Sequence, residues 1–253
     1  MNSLVVDCHA QVGTGESWAQ PRAPVDYRLD AVLSRAAEAG IDRSCIMAPR
    51  NESYEEKNRE VARLVEKHPE KLIGFAVHSP QRETGRLEQM LVEEIKVMGL
   101  KGVKSDGHPT RELLDVAAEF KIPVIYYPDP DEGLHTGRMY HNMATAYPSV
   151  NFILPHLGSF RSLVWWAHME TIDLVKRYPN VYAETSGVVV HDYYEGSGGL
   201  ERAARELPSE KLLFGSFAPE LDPRVEIYAI KLLKLPGPQE AQVLGGNILR
   251  LLG

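Results

Sequence analysis

The stretch "LVVDCHAQVG" (4–13) ends a short apolar run with Asp7, His9 and Gln11, spaced two apart. On an extended chain that spacing aims all three side chains at one face. A carboxylate, an imidazole that titrates near neutral pH and a carboxamide there could move a proton and orient a polar substrate. Comparable groups follow other apolar runs: Met47, Pro49 and Arg50; His78; Lys104, Asp106 and His108; Tyr126, Tyr127 and Asp129; His156; Glu184, Thr185 and Ser186; Ser216 and Phe217. Burying so many polar groups is costly unless they serve one another or a ligand, which marks a candidate site. Simpler uses compete. Asp7 can accept backbone N–H groups, Lys104 and Glu184 can form a structural ion pair, and adjacent Tyr126 and Tyr127 point opposite ways.

The runs that must position these groups lie at 4–8, 44–48, 72–77, 101–104, 123–127, 151–155, 181–185 and 211–215. Helical periodicity fills the gaps. Leu29, Val32, Leu33, Ala36 and Ala37 form one apolar stripe, and Leu87, Met90, Leu91, Ile95 and Met98 form another. Further helices are expected near 54–67, 110–120, 138–146, 160–177, 199–207, 223–234 and 238–251. Eight strand–helix units in 253 residues predict an α/β fold, a (β/α)8 TIM barrel occupying 1–253 as a single domain. A doubly wound sheet is the alternative, but "QVGTGES" after the first strand lacks the full glycine-rich phosphate turn. In a barrel, the groups at the C-terminal strand ends share one mouth.

The net charge of −7 argues against nucleic acid or an anionic membrane as partner. Two cysteines, Cys8 and Cys45, sit in apolar runs without a C-x-x-C pair, which suggests buried thiols and a reducing cytoplasm. No signal peptide or membrane-spanning stretch is visible in the sequence.

The segments "VVDCHAQVG", "KLIGFAVHSP", "GLKGVKSDG", "FILPHLGS", "NVYAETSG", "KLLFGSFAPE" and "VLGGNILRLLG" resemble, in order, the amidohydrolase-2 (amidohydrolase-related) branch of the amidohydrolase superfamily. The resemblance implies a (β/α)8 barrel, hydrolase or decarboxylase chemistry, and a divalent ion held by H-x-H, two further histidines and an Asp after "FGS". It carries His9, Lys104 and His156 onto family positions. Gln11, Tyr127 and Phe217 depart from the pattern. Two imidazoles fall short of the three protein ligands that a catalytic zinc keeps. The expectation is therefore no cofactor, or at most weakly bound zinc on His9 and His156.

On this reading His9 and His156 act as general base and acid, with Lys104 polarising a carbonyl or holding a carboxylate. Gln11, Arg50, Tyr127, Glu184, Ser186 and Phe217 bind the substrate. The leading expectation is metal-free hydrolysis of a lactone or amide in a small carboxylated or carbonyl metabolite. Decarboxylation and a non-catalytic ligand-binding barrel are the alternatives. Barrels of this kind often pair through outer helices, so a homodimer is an expected assembly. The loop 188–199, with Tyr193 and Tyr194, reads either as a lid over the pocket or as an ordered surface loop.

Overall fold

A computed structural model describes residues 4–20, 22–127, 136–158, 165–190 and 198–253. Eight parallel strands form one sheet in the order β1 (Val6–Gln11), β4 (Arg43–Met47), β5 (Leu72–His78), β6 (Gly102–Ser105), β7 (Val124–Tyr126), β8 (Phe152–Leu154), β9 (Val181–Glu184) and β10 (Leu212–Leu213). The first and last strands meet through Cys8 N–H to Phe214 C=O (3.0 Å) and Phe217 N–H to His9 C=O (2.8 Å). A parallel bridge joins Ala10 and Ala218. The sheet thus curls into the expected TIM barrel, with helices between successive strands.

Alternation along the strands builds the two cores. Cys45, Met47, Ile73, Phe75, Val77, Ile125, Ile153, Tyr182 and Leu213 pack together within the barrel. The intervening Ile46, Leu72, Ala76, Val103, Val124, Phe152, Leu154, Val181, Ala183 and Leu212 pack with the helices. Both faces of each strand are buried, as parallel sheets require. Cys8 and Cys45 are free, buried thiols. Among the described residues, no helix is long and apolar enough to cross a membrane.

Three departures from the sequence reading concern the site. The first strand runs on to Gln11, so His9 and Gln11 are strand residues. Its register against β4 slips between Asp7 and Ala10, a bulge that breaks the alternation meant to align Asp7, His9 and Gln11. Finally, the glycine-containing stretch after β1 is an antiparallel hairpin, β2 (Gly13–Glu16) with β3 (Pro24–Tyr27), bridged at Glu16 to Arg50. The helix expected over 238–251 is a composite in which a π turn at Gln242–Gly246 separates Gly237–Ala241 from Asn247–Leu252. Asp129, Tyr193, Tyr194 and most of the expected lid lie outside the described residues.

Candidate active site

The inner faces of β6 and β9 send Lys104 and Glu184 into the barrel mouth. Lys104 is in register with inward-facing Val77, and Glu184 lies two residues beyond inward-facing Tyr182. Beside Glu184 the chain carries Gly215, where a Cβ would come within 1.9 Å of Glu184 Oε1, so only glycine admits the carboxylate. His156 follows β8 with φ 59°, and Phe217 follows β10 with φ 60°. Left-handed backbone at such residues costs about 1–3 kcal/mol each and collects at functional sites.

His9, His156, Glu184, Ser186, Lys104 and Phe217 are all buried there. Lys104 Nζ lies 3.1 Å from His9 Nε2. A structural Lys104–Glu184 ion pair, one of the simpler uses, is not among the ion pairs of the described residues; Lys104 meets His9 instead. His9 Nδ1 faces Glu184 Oε2 at 3.4 Å and Ser186 Oγ at 3.3 Å. Glu184 also accepts from Ser186 N–H (2.6 Å), Ser186 Oγ–H (2.8 Å) and His156 N–H (3.2 Å). His156 Nδ1 donates to the Ser186 carbonyl (2.7 Å), which fixes its tautomer. The Phe217 ring meets both imidazoles edge-on, at 5.1 Å from His9 and 5.0 Å from His156. Half-buried Tyr127 completes the wall, 5.8 Å from the His156 ring.

Burial sets the charges. Desolvation, with Lys104 nearby, holds His9 well below the usual histidine range. It also takes His156 down to about 3 against the pull of Glu184. The Lys104 ammonium is lowered to about 7, chiefly by desolvation, with Asp106, Glu220 and Glu184 opposing. Desolvation raises Glu184 despite its hydrogen bonds. Two neutral imidazoles therefore share the mouth with a lysine poised near neutrality.

Trp18 is a site residue that sequence reasoning missed. Its ring centroid lies 4.0 Å from Lys104 Nζ and 5.0 Å from Arg50 Cζ. Glu220 fastens the Trp18 loop by accepting from Ser17 Oγ–H (2.7 Å), Trp18 N–H (3.0 Å) and Ala19 N–H (3.2 Å). Gln11 Nε2 reaches the same carboxylate at 3.5 Å, and Gln11 Oε1 is buried with no partner among the described residues. Arg50 stands at the rim, paired with Asp106 at 3.4 Å and in contact with the same Trp18 ring as Lys104.

Two other groups have structural roles. Asp7 accepts from His9 N–H, Ser216 N–H and Ser216 Oγ–H at 3.0, 2.9 and 2.5 Å, so it binds β1 to the chain after β10. His78 is in register with Ser105 rather than Lys104, and faces Glu83 (2.8 Å) and Glu94 (2.6 Å) behind the barrel wall.

His9, His156 and Glu184 each bring one donor atom within 4.8 Å of the others, so by number and type they could hold a metal ion. The sequence reading counts two donors; Glu184 corrects that count to three. Hydrogen bonds already involve each of them: Nε2 of His9 faces Lys104, Nδ1 of His156 donates to the Ser186 carbonyl, and both Glu184 oxygens accept from the donors above.

The family model described as Amidohydrolase matches residues 6–253. The chain belongs to the amidohydrolase-2 family. No curated protein matches this amidohydrolase-2 chain. Solved structures of the same fold include 5-carboxyvanillate decarboxylase from Sphingomonas paucimobilis, 13% identical with 99% of each chain covered and TM-score 0.72. A dihydroxybenzoic acid decarboxylase from Polaromonas sp., with bound manganese and the inhibitor 2-nitroresorcinol, is 15% identical over 99% of this chain and 97% of that one, TM-score 0.74. A probable 2-pyrone-4,6-dicarboxylic acid hydrolase from Acinetobacter baumannii, with citric acid bound, is 18% identical over 98% and 99%, TM-score 0.74.

Proposed function

We propose that this amidohydrolase-2 site removes carbon dioxide from a small aromatic carboxylate without a divalent ion. The observation that carries this reading is Lys104 Nζ, buried against His9 Nε2 under Trp18, with Phe217 edge-on to both imidazoles. Hydrolysis, the leading expectation from the sequence, is less well supported. It needs a base aimed at a water, and an apolar ring occupies the strand-eight position where the family resemblance implies an Asp. Decarboxylation needs a cation, a proton donor and a dry wall.

The substrate carboxylate lies beside Lys104 against Trp18 and Phe217, where water exclusion favours its conversion into neutral carbon dioxide. The carbon–carbon bond breaks, its electron pair stays on the ring carbon, and that carbon takes a proton from Nζ. A solvent proton reloads the amine, so one proton enters for each carbon dioxide released. An ammonium has three N–H groups: one serves His9, one faces the Trp18 ring, and the third serves the substrate. A position near 7 keeps both forms of Lys104 populated at neutral pH, as proton transfer requires. Gln11 Oε1 is placed to accept from a ring hydroxyl.

Relatives support this substrate class: two of the three named above are aromatic-acid decarboxylases, and another of the same fold holds 2,6-dihydroxybenzoate. The manganese of one relative has no equivalent role in this reading. His9 Nε2 already faces a cationic group, which withdraws one of the three donors, so the donor set does not fit a divalent ion as arranged. A purely ligand-binding barrel would gain nothing from the left-handed strain at His156 and Phe217.

The test offers hydroxybenzoates in deuterated water and follows carbon dioxide release and deuterium at the vacated carbon. A 2-pyrone lactone serves as comparator. Lactone opening without carbon dioxide would overturn the reading.

A further inference from the structure

We infer that Lys104 is a tethered cation that takes up the His9 Nε2 ligand position, and that its head group keeps metal out of the His9–His156–Glu184 cluster. The inference rests on the metal-free reading above and gives it a physical cause. The three side chains bring their donor atoms within 4.8 Å of one another, a spacing that suits a shared cation. The only cationic group in contact with the cluster, among the described residues, is Lys104 Nζ at 3.1 Å from His9 Nε2. A histidine nitrogen that accepts from an ammonium has no lone pair left for a metal.

Three features hold the head group there. The strand register fixes the Lys104 backbone beside Val77, on the inner face of the barrel. The Trp18 ring covers Nζ at 4.0 Å, and Glu220 pins the Trp18 loop through Ser17, Trp18 and Ala19. On the remaining side the Phe217 ring stands 5.8 Å from Nζ and about equally close to both imidazoles, so it fills space where a further ligand would enter. The cluster is therefore closed by one charge and one ring rather than vacant by loss of a donor.

The test is Co(II) binding, read from its visible absorption and by equilibrium dialysis, on the intact protein and on Lys104→Ala. Removal of the head group is expected to tighten Co(II) binding at least about tenfold, the scale on which neighbours of a ligand tune metal affinity. Lys104→Ala/His9→Ala should lose that gain. Lys104→Ser repeats the experiment with a small polar side chain, and circular dichroism identifies which variants are folded. Stoichiometric Co(II) on the unmodified protein, or no gain in either folded variant, overturns the inference. Neither readout depends on turnover, so loss of the decarboxylase reading and loss of this one are separately visible.

Discussion

Two buried histidines near C-terminal strand ends are shifted in opposite directions. At the mouth, desolvation takes His156 down to about 3, and Glu184 does not reverse it. Behind the wall, desolvation also pulls His78 downward, yet hydrogen bonds and charge from Glu83 and Glu94 outweigh it and raise His78 to about 9. Burial alone therefore does not decide ionisation. His78 has a carboxylate on each ring nitrogen, and Asn58 completes the network by donating to Glu94 (2.8 Å). His9 has instead a lysine on one nitrogen and a distant carboxylate on the other. The first arrangement is a fixed structural clamp, whereas the second leaves a movable proton at the barrel mouth.

The largest expected effect breaks the mouth. Lys104→Met should lower the rate of carbon dioxide release by about 10²–10⁴-fold, the usual contribution of a positioned proton donor, with the melting temperature little changed. His78→Gln should do the reverse, sparing the chemistry of the folded fraction. Two buried carboxylates then lose their cation, at a cost of about 3–5 kcal/mol, or roughly 10 °C in a calorimetric scan.

The clamp also has a pH signature. The folded value for His78, about 9, lies above its ordinary value of 6.5, so its contribution is complete below pH 6.5. It declines as pH rises through 9. The melting-temperature gap between the parent and His78→Gln should accordingly close from pH 6 to pH 10.

A smaller effect sharpens the contrast at Ser186, whose hydroxyl lies 2.8 Å from Glu184 and 2.9 Å from His156. Ser186→Ala should cost about 1–3 kcal/mol in urea unfolding, since Glu184 keeps its backbone donors.

The barrel was legible because apolar runs and amphipathic helices alternate along the chain, and the same alternation reaches into the site. Ile125 faces inward, which predicts Tyr127 at the mouth; Tyr182 does the same for Glu184. Applied to Ile73, Phe75 and Val77, that rule also places His78 on the outer face, a signal present in the sequence and passed over. Asp7 escaped it because a bulge interrupts the first strand. Trp18 and Glu220 were not legible. Their roles arise from contacts between residues about 200 positions apart, such as Trp18 N–H to Glu220 Oε1 across 202 positions, which no local spacing rule contains.

The clasp between the β2–β3 hairpin and Glu220 has a consequence for how the molecule comes into being. During synthesis the N-terminal hairpin is made early, and its anchor emerges from the ribosome only with the final strand. Until then Trp18 has nothing to pin its loop, and the lysine beneath it lacks a roof. Nascent chains stalled before residue 212 should therefore leave Lys104 open to amine-directed labelling, with protection appearing only once the last segment has docked.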